Sequence, residues 1–265
     1  MTALPVFTLH QGTKPLLVSI PHCGTHIPTE VGAQLLPLAQ GVPDTDWHLP
    51  TLYSFAKDLG ASILQANMSR FVIDLNRPTD QTNLYPGQDT TLLCPIDTFD
   101  KEPLYAAGQT PSQAEIDRRK ALYWQPYHKA LAQELERLRL QHGQLVLWDA
   151  HSIRSVLPRF FQGTLTDLNL GTGGGTSCDP ALAEAVLACA KTATAYTSVL
   201  NGRFTGGTIT RQYGAPARGI HAIQLEMTQS TYMTEAPPWS YQPTLAEGVQ
   251  PVLRQMLDLC VNWRF

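Results

Sequence analysis

Short, largely apolar runs recur along the chain at Leu16 to Ile20, Ile63 to Ala66, Phe71 to Leu75, Leu145 to Trp148 and Ala222 to Leu225. Each is bounded by turn-forming residues, and each predicts a buried strand. Helical patterns lie between several of them. Ser112-Gln-Ala-Glu115 forms a capping box, Leu131, Leu135 and Leu138 recur at helical spacing, and Gly143 is a stop, so a helix is predicted from Ser112 to His142 with a kink at Pro126. A second helix should start at Asp179-Pro180, an N-cap followed by proline at the first helical position. A third fills Thr244 to the C-terminus, and a short apolar helix is expected over Leu49 to Leu59. Strands alternating with helices predict an α/β fold, with a mixed, mostly parallel sheet and helices on both faces.

Two stretches, Pro78 to Pro111 and Ser155 to Gly175, have no period and read as long loops of the kind that carry function. Gly171-Thr-Gly-Gly-Gly within the second lacks the Gly-Lys-Ser/Thr of a phosphate loop and reads as a flexible turn near the site. With no linker or repeat in 265 residues that are 43% hydrophobic, one domain over 1–265 is expected. The formal charge of -3 is scattered, which argues against a nucleic-acid partner and against a membrane-surface helix. The residues from Met1 to Thr8 lack the basic and apolar regions of a leader, and no apolar stretch reaches the about 18 residues of a span. Five cysteines without a C-x-x-C pair fit reduced thiols. A cytoplasmic protein is the expectation.

Candidate chemistry gathers where the predicted strands end, which is where open α/β sheets place their ligands. The first strand runs into Pro21-His22-Cys23-Gly24, the third delivers Asn76-Arg77, the fourth Asp149-Ala-His151 and the fifth Glu226. Two histidines and one carboxylate are the ligand set of hydrolytic zinc sites that keep a fourth position open. His22 and His151 supply the histidines. For the carboxylate, the segment Asp44-Thr-Asp46-Trp-His48 favours Asp46, with Asp44 as the alternative. Asp149 is placed to accept from an imidazole N–H. The same ligands accept Mn, Fe or Co, so another divalent transition metal fits the set as well.

Ordered motifs across nearly the whole chain resemble the N-formylglutamate amidohydrolases of histidine degradation. They are Val18-Ser-Ile-Pro-His22-Cys-Gly-Thr-His-Ile-Pro28, Asp44-Thr-Asp-Trp-His48, Asn76-Arg-Pro-Thr79, Asp149-Ala-His-Ser152, Asn169-Leu-Gly-Thr172, Arg203-Phe-Thr-Gly-Gly-Thr-Ile-Thr-Arg211-Gln-Tyr-Gly214 and Gln224-Leu-Glu-Met227. That family is distantly similar to zinc carboxypeptidases and to deacylases of N-acylated aspartate. The resemblance implies a zinc-carboxypeptidase-like fold, zinc on His22 and His151, Glu226 as the base that activates water, and Asn76-Arg77 gripping a substrate carboxylate. In the wider group the second ligand comes from His-x-x-Glu, but this chain has Thr25 there.

The implied reaction is zinc-dependent release of formate from N-formyl-L-glutamate, a small dianion. Guanidinium groups read carboxylates bidentately, so Arg77, Arg203 and Arg211 are substrate-binding candidates, with Arg154 a fourth. The segment Asn201 to Gly214 has the composition of a hairpin or loop folding over an anion. Three other readings stand beside this one. They are a zinc deacylase of another N-acylated acidic amino acid, a non-catalytic carboxylate-binding protein, and a cysteine hydrolase using Cys23 with His22 or His26.

Overall fold

The computed structural model describes residues 4–80, 82–84 and 86–264. Seven strands, β1 (Phe7–His10), β2 (Leu16–Ile20), β3 (Ser62–Ala66), β4 (Leu145–Ile153), β5 (Leu168–Gly171), β6 (Ser198–Leu200) and β7 (Ile220–Thr228), form one sheet in the order β1-β3-β2-β4-β7-β5-β6. The central four, β3-β2-β4-β7, are parallel; β1 joins one side and β5 the other in antiparallel fashion. The α/β class, the mixed, mostly parallel sheet and the covering of both faces are as expected.

Among the described residues, seven α-helices accompany the sheet: α1 (Thr29–Gly32), α2 (Leu49–Leu52), α3 (Gln113–Arg119), α4 (Gln125–His142), α5 (Pro180–Thr192), α6 (Thr208–Tyr213) and α7 (Pro243–Asn262). Because successive strand side chains face opposite ways, Leu16, Val18 and Ile20 of β2 pack with α5 and α7, while Leu17 packs with Leu131, Leu135 and Leu138 of α4. Burial on both faces is why these strands read as continuous apolar runs rather than as alternation.

Both predicted N-caps form, although the Glu115 carboxylate, expected to close a capping box, is taken by Arg118 and Arg119 instead. Ser112 Oγ accepts from Glu115 N, and Asp179 Oδ1 accepts from Ala181 N and Leu182 N. Proline at the start of α4 is preceded by a π-helical turn, Lys120–Trp124, which takes up the irregularity expected at Pro126. The C-terminal helix begins as predicted and ends at Asn262; the terminal Phe265 and Met1 to Ala3 lie outside the described residues, as do Gln81 and Tyr85 of the first long loop.

Four expectations are corrected. Phe71 to Leu75 is a buried turn segment, not a strand: Ser69 Oγ accepts from Phe71 N, and the Asp74 carboxylate accepts from Asn76 N, so side chains take the hydrogen bonds a ladder would have used. The helix over Leu49 to Leu59 breaks after Leu52 into a 3-10 turn, Ser54–Lys57. Ser155 to Gly175 contains β5, and the second half of Asn201 to Gly214 is α6. Among the described residues, no helix is long and apolar enough to cross a membrane.

Candidate metal centre and active site

Along β4 and β7, one sheet face changes character halfway. Leu145 and Leu147 of β4, with Ile220 and Ala222 of β7, belong to the α4-side core; the next positions on the same face are Asp149, His151, Gln224 and Glu226. The parallel register sets His151 beside Glu226 and Asp149 beside Gln224. Both strands run two or more residues further than the apolar pattern indicated, so His151 and Glu226 sit inside the ladder rather than beyond it.

His22, just past β2, brings its ring against His151, with centroids 4.9 Å apart. Asp46 is fastened beneath them by its own N–H to His22 O (3.0 Å) and by Ser152 N to its Oδ2 (3.2 Å). Asp46 Oδ2 lies 3.1 Å from His151 Nδ1 and 3.7 Å from His22 Nδ1. The opposite nitrogens face carboxylates of their own: His22 Nε2 is 2.7 Å from Asp74 Oδ1 and His151 Nε2 is 3.2 Å from Asp149 Oδ2. One ligand atom from each of His22, Asp46 and His151 lies within 4.8 Å of the other two. Two Nδ1 atoms and a carboxylate oxygen converging on one point, with carboxylates behind both rings, fit a divalent ion, since ligating imidazoles are held from behind in this way.

The electrostatics agree with a cluster held by its own charges. Burial would raise the Asp46 carboxyl, but hydrogen bonds from His151 and His22 outweigh it and hold it far below the usual range. Burial also opposes ionisation of Asp74, where His22 and Arg70 prevail; Arg70 Nη2 donates to Asp74 Oδ2 at 2.7 Å. Glu226 differs. Burial, opposed by His151 and reinforced by Asp46, pushes it up to about 8. Asp44 stands outside this group: its Oδ2 accepts from Phe99 N, and burial pushes it up to about 7.

A cavity of about 580 Å3, counting its open mouth, lies over the cluster and is lined by His22, Asp46, His151, Gln224 and Glu226 at its floor. Its wall carries Arg70, Arg77 and Arg203 with Phe99, Phe160 and Phe204. Arg77 is tied by Nε to Thr91 O (3.1 Å) and by Nη2 to Thr91 Oγ1 (3.1 Å). Arg203 donates from Nε to Phe160 O and lies over the Phe204 ring at 4.8 Å. Asn76 lines the cavity too, but its side chain accepts from Ile209 N and its Nδ2 sits 3.0 Å from His151 Nε2.

Two arginine candidates are placed elsewhere. Arg211 is exposed and outside the lining, braced on Gly206 O and Thr205 Oγ1; Arg154 pairs with Asp100. The Cys23 reading also loses its basis. The thiol donates to Ile20 O and Ala66 O, and burial, with Asp46 adding, pushes it up to about 12. The residues that sequence reasoning passed over are Arg70, Asp74 and Gln224. A signal existed for the first two, because an Arg and an Asp four positions apart in an otherwise apolar run must find partners once buried.

Comparison with known proteins points to one family. The family model for N-formylglutamate amidohydrolase matches residues 14–233. An N-formylglutamate deformylase of Pseudomonas putida is 53% identical over 258 residues, covering 97% of this chain and 96% of the relative. An N-formylglutamate deformylase of Pseudomonas aeruginosa is 50% identical, covering 97% of each chain. Among solved structures, the N-formylglutamate amidohydrolase of Ralstonia eutropha JMP134 superimposes with a TM-score of 0.80 at 25% identity, covering 96% of this chain and 98% of that one.

Proposed function

We propose that this chain, which belongs to the N-formylglutamate amidohydrolase family, hydrolyses N-formyl-L-glutamate to formate and L-glutamate at a divalent metal, zinc in our reading, held by His22, Asp46 and His151. The chain is an amidohydrolase, and we assign it to the cytoplasm, at the last step of a histidine degradation pathway. The observation that carries the metal assignment is the convergence of both Nδ1 atoms on Asp46 Oδ2, one register step from Glu226.

A formamide is an unactivated amide, so its hydrolysis at neutral pH needs an activated water and a stabilised oxyanion. A bound divalent ion supplies Lewis-acid polarisation of water and of the formyl carbonyl. Glu226 takes a proton from the attacking water as the new C–O bond forms, and returns it to the glutamate nitrogen as the C–N bond breaks. Its upward-shifted pKa suits the second half of that exchange, since a carboxylate of ordinary strength is a poor proton donor near neutrality; the first half needs the ionised form, which a bound cation beside it would favour. Asp74 and Asp149 fix the ring orientations of His22 and His151. Arg70 contributes fixed positive charge beside Asp46. Arg77 and Arg203, in the cavity wall, read the two substrate carboxylates. Arg211, outside the cavity lining, is not assigned a substrate carboxylate in this reading.

The experiment is elemental analysis of the purified protein together with formate release across N-acyl amino acids. One equivalent of a divalent metal and strong preference for N-formyl-L-glutamate are expected. Preference for an acetylated or aspartate-based substrate would move the assignment to a different deacylase.

A further inference from the structure

Gln224 is two residues ahead of Glu226 on β7, on the same face and buried. Its amide has two neighbours. Oε1 accepts from Gly207 N–H at 2.7 Å, which settles the orientation of the amide, because a backbone N–H requires an acceptor. Nε2 is therefore the end directed at Glu226, 3.5 Å from Oε2. That contact is long, as hydrogen bonds to catalytic groups often are before substrate tightens them.

The loop reaches Gln224 because two positions lack side chains. Gly171 pairs with Gln224 across the β5–β7 ladder, and a Cβ there would meet Gly206 N at 2.7 Å. A Cβ on Gly207 would meet Asn76 Nδ2 at 2.4 Å. The loop seated this way puts Arg203 and Phe204 into the cavity wall.

We infer that Gln224 is a positioning residue that joins the substrate-binding loop to the general base: its carbonyl oxygen anchors the loop at Gly207, while its N–H group holds Glu226 Oε2 and leaves Oε1 turned to the reacting water. The inference rests on the proposed role of Glu226. It makes the loop and the base parts of one strut, so that substrate ordering the loop also orders the carboxylate.

Two variants of the metal-loaded enzyme separate the halves of that strut. Q224M can neither accept nor donate; its KM should rise and its kcat should fall by roughly tenfold, with faster hydrogen exchange at the Gly207 amide. Q224E keeps an acceptor for Gly207, so KM and Gly207 protection should stay within about twofold of the parent. Its kcat should still drop by roughly tenfold or more, because two carboxyls this close share a proton. Bound metal should be unchanged in both. A Q224M enzyme with parental kcat overturns the inference even if Q224E does not fold, as does a Q224E enzyme whose KM rises and whose kcat falls as far as those of Q224M. E226Q separates this result from the underlying reading. Parental activity in E226Q overturns the base assignment itself, whereas an inactive E226Q beside an unaffected Q224M overturns the strut alone.

Discussion

The floor and the wall of the cavity hold their charges in different ways. On the floor, every nitrogen base faces a carboxylate: His22 with Asp74, His151 with Asp46 and Asp149, and, where floor meets wall, Arg70 with Asp74, all almost fully buried. In the wall, Arg77 is steered by neutral acceptors on Thr91, Arg203 donates to the Phe160 carbonyl, and both remain half-buried. A buried charge without a counter-charge is unaffordable, so the floor is self-compensating and its geometry is set before any ligand arrives. A carbonyl or hydroxyl orients a guanidinium without neutralising it, which leaves the Arg77 charge for an anion from outside.

Breaking the floor should do most. His22→Ala or His151→Ala should release the metal and cost on the order of a thousandfold or more in activity, with the fold retained by circular dichroism. Full metal occupancy in either variant, by elemental analysis, would remove that histidine from the ligand set. Substituting the wall comes next. Arg77→Ala or Arg203→Ala should cost about 2–4 kcal/mol in transition-state binding, read as kcat/KM. N-formylglutamine, neutral at its side chain, should be a poor substrate of the parent and suffer much less from whichever change removes the side-chain partner. Equal slowing of both substrates by every arginine change would show that the wall does not read charge.

Asp74→Asn probes the floor one step removed, since it leaves every ligand in place and loosens the His22 ring; metal affinity should fall about 10–100-fold in a chelator competition. The smallest effect is expected outside the cavity. Arg211→Ala should leave kcat/KM within about twofold, and a larger loss would mean that bracing of Gly206 by Arg211 matters to the loop.

The same contrast shows what the sequence discloses. β2, β4 and β7 were legible because their apolar runs are buried on both faces, and His22, His151 and Glu226 were found by following those runs to their ends. β1, β5 and β6 were not, being three or four residues long and flanked by polar segments. Phe71 to Leu75 misled because a buried turn is as apolar as a buried strand; it also hid Asp74 in the middle of a hydrophobic word. Composition brought Arg203 and Arg211 forward together, yet α6 begins between them, so that one stays in the cavity wall and the other ends outside it.

His151 and Asp46 are separated by 105 positions, and Asp74 stands 52 from His22. Closing loops of that size carries an entropy cost that grows with the logarithm of their length, and no short stretch of chain presents two of the ligands together. An unfolded chain would therefore be a poor chelator, and on the proposed metal assignment the ion would bind essentially the native state. Its occupancy then feeds directly into folding equilibrium, adding about 2.7 kcal/mol when free metal is a hundredfold above Kd. The melting temperature becomes a gauge of free metal, falling in chelator and rising with each increment of ion restored.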